Sequence, residues 1–162
     1  MDRATGDTSD LLQQAAGLFA GERDPWANAA NAVALLFESL PRLNWAGFYF
    51  LRGGELVVGP FQGRAACVRI PLGSGGCGTA ASRRETLIVA DVHAFPGHIA
   101  CDAASNSEIV VPLLSGGKLI GVLDVDSPDI GRFGPADAVL LEAFADALIA
   151  ACDWRLAGID GY

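Results

Sequence analysis

The chain has 162 residues, the length of one ordinary domain, with 11 basic and 19 acidic residues and a formal net charge of −8. Hydrophobic residues make up 51% and charged residues 19%, which excludes an intrinsically disordered chain. The acidic balance argues against a nucleic-acid partner, because such proteins need clustered cations to replace phosphate counterions. No basic run exceeds Arg83-Arg84 and no apolar run reaches the roughly 18 residues that span a bilayer, so we expect no membrane partner.

Helices are predicted towards both ends of the chain. Residues 9–20 are typical of a short amphipathic helix, and residues 24–40 of a second, with Asp24 as N-cap and Pro25 in its first turn. After residue 135 the apolar residues recur every four positions, which predicts a C-terminal helix. The apolar stripe of that helix consists of Leu140, Phe144, Leu148 and Cys152.

The middle of the chain predicts strands. They are expected at residues 45–51, 55–58, 67–70, 87–92, 108–114 and 118–126, with glycine-containing turns at 53–54 and 115–117. A glycine-rich loop over residues 73–76 leads into a short helix that begins near Cys77, and residues 93–107 indicate a long functional loop. This order of helices, antiparallel hairpins and a last helix predicts an α+β fold, with a central antiparallel β-sheet flanked by N- and C-terminal helices.

Four cysteines are candidates for chemistry. The first ten residues show no cationic and apolar leader, so we expect a cytoplasmic protein, and structural disulfides are uncommon in that compartment. Cys101 lies in the long loop, where a thiol is accessible, and Cys77 lies at a helix N-terminus, whose dipole would lower the thiol pKa. Cys67 is the second residue of the run 66–70, which predicts a strand. A structural role in the core and a functional role explain this cysteine equally well. Cys152 continues the apolar stripe and is expected in the core.

Two other uses of these thiols remain open. Zinc sites usually take paired ligands such as Cys-x2-Cys, whereas Cys67, Cys77 and Cys101 are 10 and 24 residues apart and the only close group is His98 with Cys101. A Cys-His hydrolase would use His93 or His98 as its base, but no third residue is evident that would orient either imidazole. Both patterns are weak, and we expect no metal.

Carboxylates mark the last predicted hairpin. Asp124 and Asp126 interrupt an apolar run two residues apart, so they point to the same face of one strand. Two like charges near an apolar core are costly unless they meet a cation, a proton or solvent. A three-residue turn would place Glu108 opposite Asp124 on that face, a two-residue turn would place it on the other, and the sequence leaves the register open. Alternatively, the strand simply ends at Ser127 with both carboxylates in solvent.

Two aromatic residues share a face of the first predicted strand. Trp45 and Tyr49 are four positions apart, so their rings are expected on the same side of the sheet. They could line a pocket, and ordinary core packing explains them equally well.

Six segments of this sequence together resemble the free methionine-(R)-sulfoxide reductases. They are residues 59–63 (Gly-Pro-Phe-Gln-Gly), 66–71 (Ala-Cys-Val-Arg-Ile-Pro), 76–80 (Gly-Cys-Gly-Thr-Ala), 91–102, 105–110 and 120–128. The resemblance covers about residues 24–150, and the long string from 93 to 102 is far more specific than any three-residue motif. Members of this family have the GAF fold, which agrees with the predicted element order. The resemblance thus implies a single GAF domain over residues 1–162, with a core of about 24–155 and a flexible N-terminus over 1–8.

The resemblance implies that the chain reduces free L-methionine-(R)-sulfoxide to methionine and leaves methionine sulfoxide within proteins alone. Cys101 would be the nucleophile, and its thiolate would become a sulfenic acid as methionine leaves. Cys67 would be the main resolving thiol, giving an intramolecular disulfide with Cys101, and Cys77 an alternative or relay thiol. A thioredoxin-type donor, supplied by NADPH through thioredoxin reductase, would restore the dithiol, and no bound cofactor is implied.

The resemblance also assigns roles around the substrate. Asp126 would polarise the sulfoxide, Glu108 and Asp124 would hold the ammonium group, and Trp45, with Tyr49, would contact the methyl end. A homodimer through the terminal helices is a further implication. The alternative from another class is a non-catalytic GAF sensor module that binds a small ligand; it explains the fold and the acidic lining but not three cysteines in the positions of the family.

Overall fold

The computed structural model describes residues 8–99, 101 and 103–160. Its helices are α1 (Thr8–Phe19), α2 (Pro25–Ser39), α3 (Gly75–Arg83) and α4 (Pro135–Ala151). Its strands are β1 (Trp45–Arg52), β2 (Glu55–Gly63), β3 (Arg69–Pro71), β4 (Leu87–Val89), β5 (Ser107–Ser115) and β6 (Lys118–Ser127). Single 3-10 turns lie at Val92–Ala94 and Trp154–Leu156. Of the expected flexible segment 1–8, residues 1–7 lie outside the described part and Thr8 begins α1. None of the described helices is long and apolar enough to cross a membrane.

The six strands form one antiparallel sheet in the order β3-β2-β1-β6-β5-β4. This confirms the α+β fold with a central antiparallel sheet and helices at both ends of the chain. The second helix begins as its sequence predicts, because the Asp24 side chain accepts a hydrogen bond from the Ala27 amide and Pro25 needs no partner in the first turn.

The two faces of the sheet have different surroundings. Alternate residues of β1, β5 and β6 point to opposite sides, as the pleat of a strand requires. On one side, Phe48, Ile109 and Leu123 join the main apolar core with residues of α1, α2 and α4. On the other side, Trp45, Tyr49 and their neighbours pack with α3 in a smaller cluster. This second face carries the candidate site.

The β5–β6 hairpin has a register that neither simple turn produces. Gly116 and Gly117 form a two-residue turn, both with positive φ (56° and 80°), so Ser115 lies opposite Lys118. With this turn alone, Glu108 would lie opposite Val125, but a bulge between Leu113 and Leu114 shifts the pairing by one residue. Glu108 therefore lies opposite Asp126, whereas a three-residue turn would have placed it opposite Asp124. Because the bulge reverses the effect of the short turn, the carboxylates share one face after all.

Cys67 lies outside any strand, so the predicted strand 67–70 is wrong at its start. Strand β3 pairs only with residues 55–57 of β2, and a last bond runs from the Val58 amide to the Val68 carbonyl. The next donor on that edge would be residue 60, which is a proline without an N–H group, so the ladder stops there. Strand β2 itself continues to Gly63, well past the predicted end, because its other edge pairs with β1.

Two further boundaries differ from the prediction. Helix α3 begins at Gly75, so half of the expected glycine-rich loop is helical. Strand β4 ends at Val89 rather than at Val92, because Asp91 caps a 3-10 turn by accepting a hydrogen bond from the His93 amide.

Candidate active site

A cavity opens on the α3 side of the sheet and holds about 540 Å³ of space, its mouth included. It is lined by Trp45, Tyr49, Ala66, Ile70, Ser74, Gly75, Gly76, Cys77, Val92, His98, Ile99, Cys101, Ser105, Glu108, Asp124 and Asp126. Among these described lining residues there is no lysine or arginine. The cavity therefore offers acidic groups, with no lysine or arginine among the described residues beside them, to a cationic group from outside.

Three carboxyl groups on neighbouring strands form the acidic floor of the cavity. Asp126 of β6 is paired with Trp45 of β1 on one side and with Glu108 of β5 on the other, so these three residues form one row across the sheet. Asp124 lies one row further along the same face. One oxygen from each of the three carboxyl groups lies within 4.8 Å of the others, close enough to hold a single ion.

Burial makes the carboxyl groups hold protons more tightly than usual. Glu108 and Asp124 are only 7% and 6% exposed, and Asp126 is half-buried. The alternative that Asp124 and Asp126 both lie in solvent at a strand end is therefore wrong, because Asp124 is buried and β6 continues through both residues to Ser127. Loss of water and the nearby Asp126 charge raise the pKa of Glu108 from 4.5 to about 8, and the same two causes raise the pKa of Asp124 well above 3.8. Glu108 Oε1 and Asp124 Oδ1 have no hydrogen-bond partner in the structure, so each has an oxygen available to a ligand.

The N-terminus of α3 fits against the acidic floor because residue 76 is a glycine. A Cβ atom at this position would overlap the Glu108 carboxylate. Gly75, in the left-handed region with φ of 60°, starts the helix beside Ile99 of the long loop. The sequence suggested a loop here and gave no sign of this contact, because the contact depends on how two distant segments meet.

Cys67 and Cys101, which are 34 positions apart in the sequence, are joined by a disulfide, and their Cα atoms are 5.4 Å apart. This is the pair that the resemblance implied. Both residues are half-buried, and Cys101 lines the cavity, so the bond lies where the cavity meets the surface. The carbonyl of Cys67 accepts a hydrogen bond of 3.2 Å from the Tyr49 hydroxyl, which connects the loop before β3 to β1.

Cys77 is a free thiol at the third position of α3, and the expectation of a lowered pKa is wrong. Burial, followed by the charges of Asp124, Glu108 and Asp126, raises the pKa of this thiol well above 9.0. The effect of the helix N-terminus is smaller than the combined cost of removing a thiolate from water and placing it beside acidic groups. Cys77 is thus a protonated thiol that hydrogen-bonds Asp124.

Trp45 and Tyr49 both face the cavity, as their spacing predicts. Their rings are stacked with centroids 5.8 Å apart, and Trp45 also stacks on Phe61 at 5.3 Å. The Trp45 indole donates a hydrogen bond to the Arg64 carbonyl, which fixes its ring plane. The two side chains form an apolar wall next to the carboxylates and line the cavity. They also pack in the smaller apolar cluster and are only 2% and 1% exposed, so core packing and pocket lining both describe them.

The remaining candidates are distributed as follows. Cys152 is buried in the main core beside Asn28, as its place on the apolar stripe predicts. His93 is exposed and paired with Asp91 at 2.9 Å. His98 lines the cavity, and burial lowers its pKa, which favours the neutral ring. Within the described residues, the set that could hold a metal ion is the three carboxyl groups rather than any cysteine set.

The sequence profile of the GAF domain matches residues 25–152. The chain is 56% identical to the free methionine-R-sulfoxide reductase of Escherichia coli over 80% of its length and 78% of that protein. It is 45% identical to the yeast Saccharomyces cerevisiae protein of the same name, over 90% of its length and 85% of that protein. The solved structure of free methionine-R-sulfoxide reductase from Neisseria meningitidis in complex with its substrate superposes with a TM-score of 0.88 at 43% identity, covering 93% of this chain and 91% of that one.

The matched region contains all the elements that build the cavity, from α2 to α4, and the similarity extends over most of both chains in each comparison. The disulfide at the cavity mouth and the acidic floor lie within that region. The chain belongs to the GAF-domain family of free methionine-R-sulfoxide reductases, which are oxidoreductases.

Proposed function

We propose that this chain reduces free L-methionine-(R)-sulfoxide to methionine at the cavity described above. The observation that carries the proposal is the placement of the Cys67–Cys101 disulfide at the mouth of a cavity whose floor presents three carboxyl groups and no lysine or arginine. A free amino acid brings an ammonium group, a sulfoxide and a short apolar chain. The acidic floor, the sulfur of Cys101 and the aromatic wall match these three features in turn.

The first chemical step joins Cys101 and the substrate. The Cys101 thiolate attacks the sulfoxide sulfur, one proton is taken up, and the products are methionine and a sulfenic acid on Cys101. Oxygen leaves the substrate as part of that sulfenic acid, so the substrate is reduced by two electrons and Cys101 is oxidised by two. We assign the polarisation of the sulfoxide to Asp126, and the aromatic residues Trp45 and Tyr49 to the methyl end.

The second step produces the bond seen in the structure. The Cys67 thiol attacks the sulfenic sulfur, the new disulfide forms, and the oxygen departs as water. A donor dithiol of the thioredoxin type then exchanges with the disulfide and leaves Cys67 and Cys101 reduced. Such a donor is regenerated with NADPH in the cytoplasm, which is where we place the reaction. Cys77, a protonated thiol beside Asp124, is the alternative or relay thiol.

Substrate selection follows from the acidic floor. Burial beside Asp126 raises the pKa of Glu108 and of Asp124, so both carboxyl groups hold protons more tightly than usual before a ligand binds. An ammonium group between them supplies the missing positive charge and allows these protons to leave. A residue within a peptide has no such ammonium, so binding it would leave the carboxyl groups without a cation. The floor thus favours the free amino acid.

The test is a coupled NADPH assay with R and S epimers of methionine sulfoxide, each free and within a peptide. Turnover is expected only with the free R epimer, and Cys101→Ser is expected to abolish it. Cys67→Ser should still release one methionine per chain in a single turnover, because only recycling needs the resolving thiol. Cys152→Ser, a buried cysteine outside the cavity, is the matched control and should retain activity. Robust turnover by Cys101→Ser would contradict the proposal.

A further inference from the structure

Ser105 links the long loop to the acidic floor. This serine is the fourth residue after Cys101 and is 6% exposed. Its hydroxyl donates a hydrogen bond of 3.0 Å to Oδ2 of Asp126. Asn44, the residue before β1, donates from Nδ2 to the same hydroxyl at 2.9 Å. The three side chains form a chain of hydrogen bonds that runs from Asn44 through Ser105 to Asp126.

The groups at the two ends of this series of hydrogen bonds determine which atoms donate and which accept. An amide nitrogen only donates, and a serine hydroxyl has a single hydrogen, so a hydroxyl that accepts from Asn44 gives its hydrogen to Asp126. Oδ2 of Asp126 is therefore an acceptor. Any proton that Asp126 carries is therefore directed to its other oxygen.

The main chain fixes the same three residues. The Asn44 amide donates to the Asp126 carbonyl at 3.1 Å, so Asn44 holds both the backbone of Asp126 and, through Ser105, its side chain. The base of the loop is closed by two more bonds, from Val92 N to Asn106 O at 2.9 Å and from Asn106 N to Ser127 O at 2.8 Å. The segment with Cys101 thus leaves the sheet from a fixed base, and Ser105 lies at that base.

We propose that Ser105, oriented by Asn44, is a positioning residue that holds Asp126 and the base of the Cys101 loop in one hydrogen-bonded unit. Through this unit the carboxyl group that polarises the sulfoxide keeps a constant relation to the segment that brings the attacking sulfur. Neither Ser105 nor Asn44 reacts. The inference rests on the proposed reduction of free methionine-(R)-sulfoxide and adds two residues to it.

The experiment measures single-turnover release of methionine by the reduced protein over a range of substrate concentrations. Ser105→Ala should slow the release step about 10-fold, the effect of one lost hydrogen bond to a charged group. The substrate concentration for half-maximal rate should change less than about 2-fold, because Glu108 and Asp124 are unaltered. Ser105→Thr keeps the hydroxyl and should restore the rate, whereas a general loss of packing would not be restored by a larger side chain.

A second variant and a matched control complete the test. Asn44→Ala should also slow release, and the double variant should be no slower than Ser105→Ala, because both changes break one chain of bonds. Ser107→Ala removes another buried hydroxyl, one that bonds the Asp129 carbonyl, and should leave the release rate unchanged. Unaltered release by Ser105→Ala, additive effects of the two variants, or an equal loss in Ser107→Ala would overturn the inference. If the unaltered chain releases no methionine, the proposed function fails instead. If Ser105→Ala does not fold, Asn44→Ala decides alone.

Discussion

At the scale of single residues, the acidic floor lowers the free energy of unfolding of the substrate-free protein as the pH rises. Burial raises the pKa of Glu108 to about 8, so between roughly pH 4.5 and pH 8 the folded chain holds a proton there that the unfolded chain has released. Where the folded state binds more protons than the unfolded state, stability falls as pH rises. Asp124 contributes in the same direction, since its pKa is also raised.

We therefore expect the thermal unfolding temperature of the substrate-free protein to decrease as the pH is raised from 6 to 8.5. Glu108→Gln removes one of the titrating groups and should flatten this dependence, with a gain in free energy of unfolding at pH 8.5 on the order of 1–2 kcal/mol. Ser107→Ala, a change at a buried position of the same strand that removes no ionisable group, is the control and should leave the pH dependence unchanged. Thermal unfolding followed by circular dichroism measures both. A midpoint that rises with pH in the unaltered protein would contradict this account of Glu108.

The same residue should control selection of the substrate. Glu108→Gln is expected to raise the KM for free methionine-(R)-sulfoxide at least about 10-fold, because a neutral amide cannot offset the charge of an ammonium group. The effect on the maximal rate should be smaller, since we assign the polarisation of the sulfoxide to Asp126 rather than to Glu108. Steady-state kinetics separates the two parameters, and an unchanged KM would remove the ammonium role from Glu108.

At the scale of elements, the position of α3 depends on one missing side chain. A Cβ atom at Gly76 would overlap the Glu108 carboxylate, so the helix can approach β5 only with glycine there. Gly17 of α1 is also helical but has nothing within 4 Å of its Cβ position. The two glycines offer a direct comparison of a helix that needs the space and a helix that does not.

Gly76→Ala should destabilise the fold by about 1–3 kcal/mol and raise the KM, because either α3 or the Glu108 side chain must move. Gly17→Ala should instead stabilise the fold by about 0.5–1 kcal/mol, as expected for alanine in an exposed helix, and leave the kinetics unchanged. Urea unfolding and steady-state kinetics of both variants check this. Unaltered stability in Gly76→Ala would show that the helix has more freedom than the contact implies.

The elements also show what sequence reasoning can and cannot reach. The two apolar runs on either side of the glycine-containing turn predict β5 and β6, and the spacing of Asp124 and Asp126 predicts a shared face. The bulge between Leu113 and Leu114 does not show in the sequence, because it results from the match between a tight turn and the pairing of the whole strand. Likewise, the protonation of Cys77 depends on carboxyl groups 31 to 49 positions away, which only the folded chain brings together.

At the scale of the whole molecule, the Cys67–Cys101 bond closes a long segment of chain. The two cysteines are 34 positions apart, and in the chain-entropy picture a loop of this length restricts the unfolded state by about 3–4 kcal/mol. The segment includes α3, which packs on the cavity side of the sheet, and β3 and β4, the two edge strands. Oxidation is therefore expected to alter the stability of the domain as well as its activity.

Dithiothreitol should lower the thermal midpoint of the oxidised protein by about 5–10 °C, in proportion to the lost constraint. Cys67→Ser should show a much smaller difference between the two conditions, because its disulfide is absent. Cys77→Ser keeps the disulfide and should respond like the unaltered chain. Differential scanning calorimetry of all three proteins is the measurement. Equal midpoints for the oxidised and reduced unaltered protein would mean that strain in the folded state offsets the constraint.

Successive residues of β6 face opposite sides of the sheet, so residues that maintain the fold alternate with residues that contact the cavity. Leu123 and Val125 face the main core, and Asp124 and Asp126 face the cavity. A substitution at an even-numbered position here changes ligand chemistry without disturbing the layer that keeps the domain folded, and a substitution at an odd-numbered one does the reverse. Substitutions of cavity residues can therefore change which ligand the domain binds, while the residues on the other face of the sheet preserve the fold.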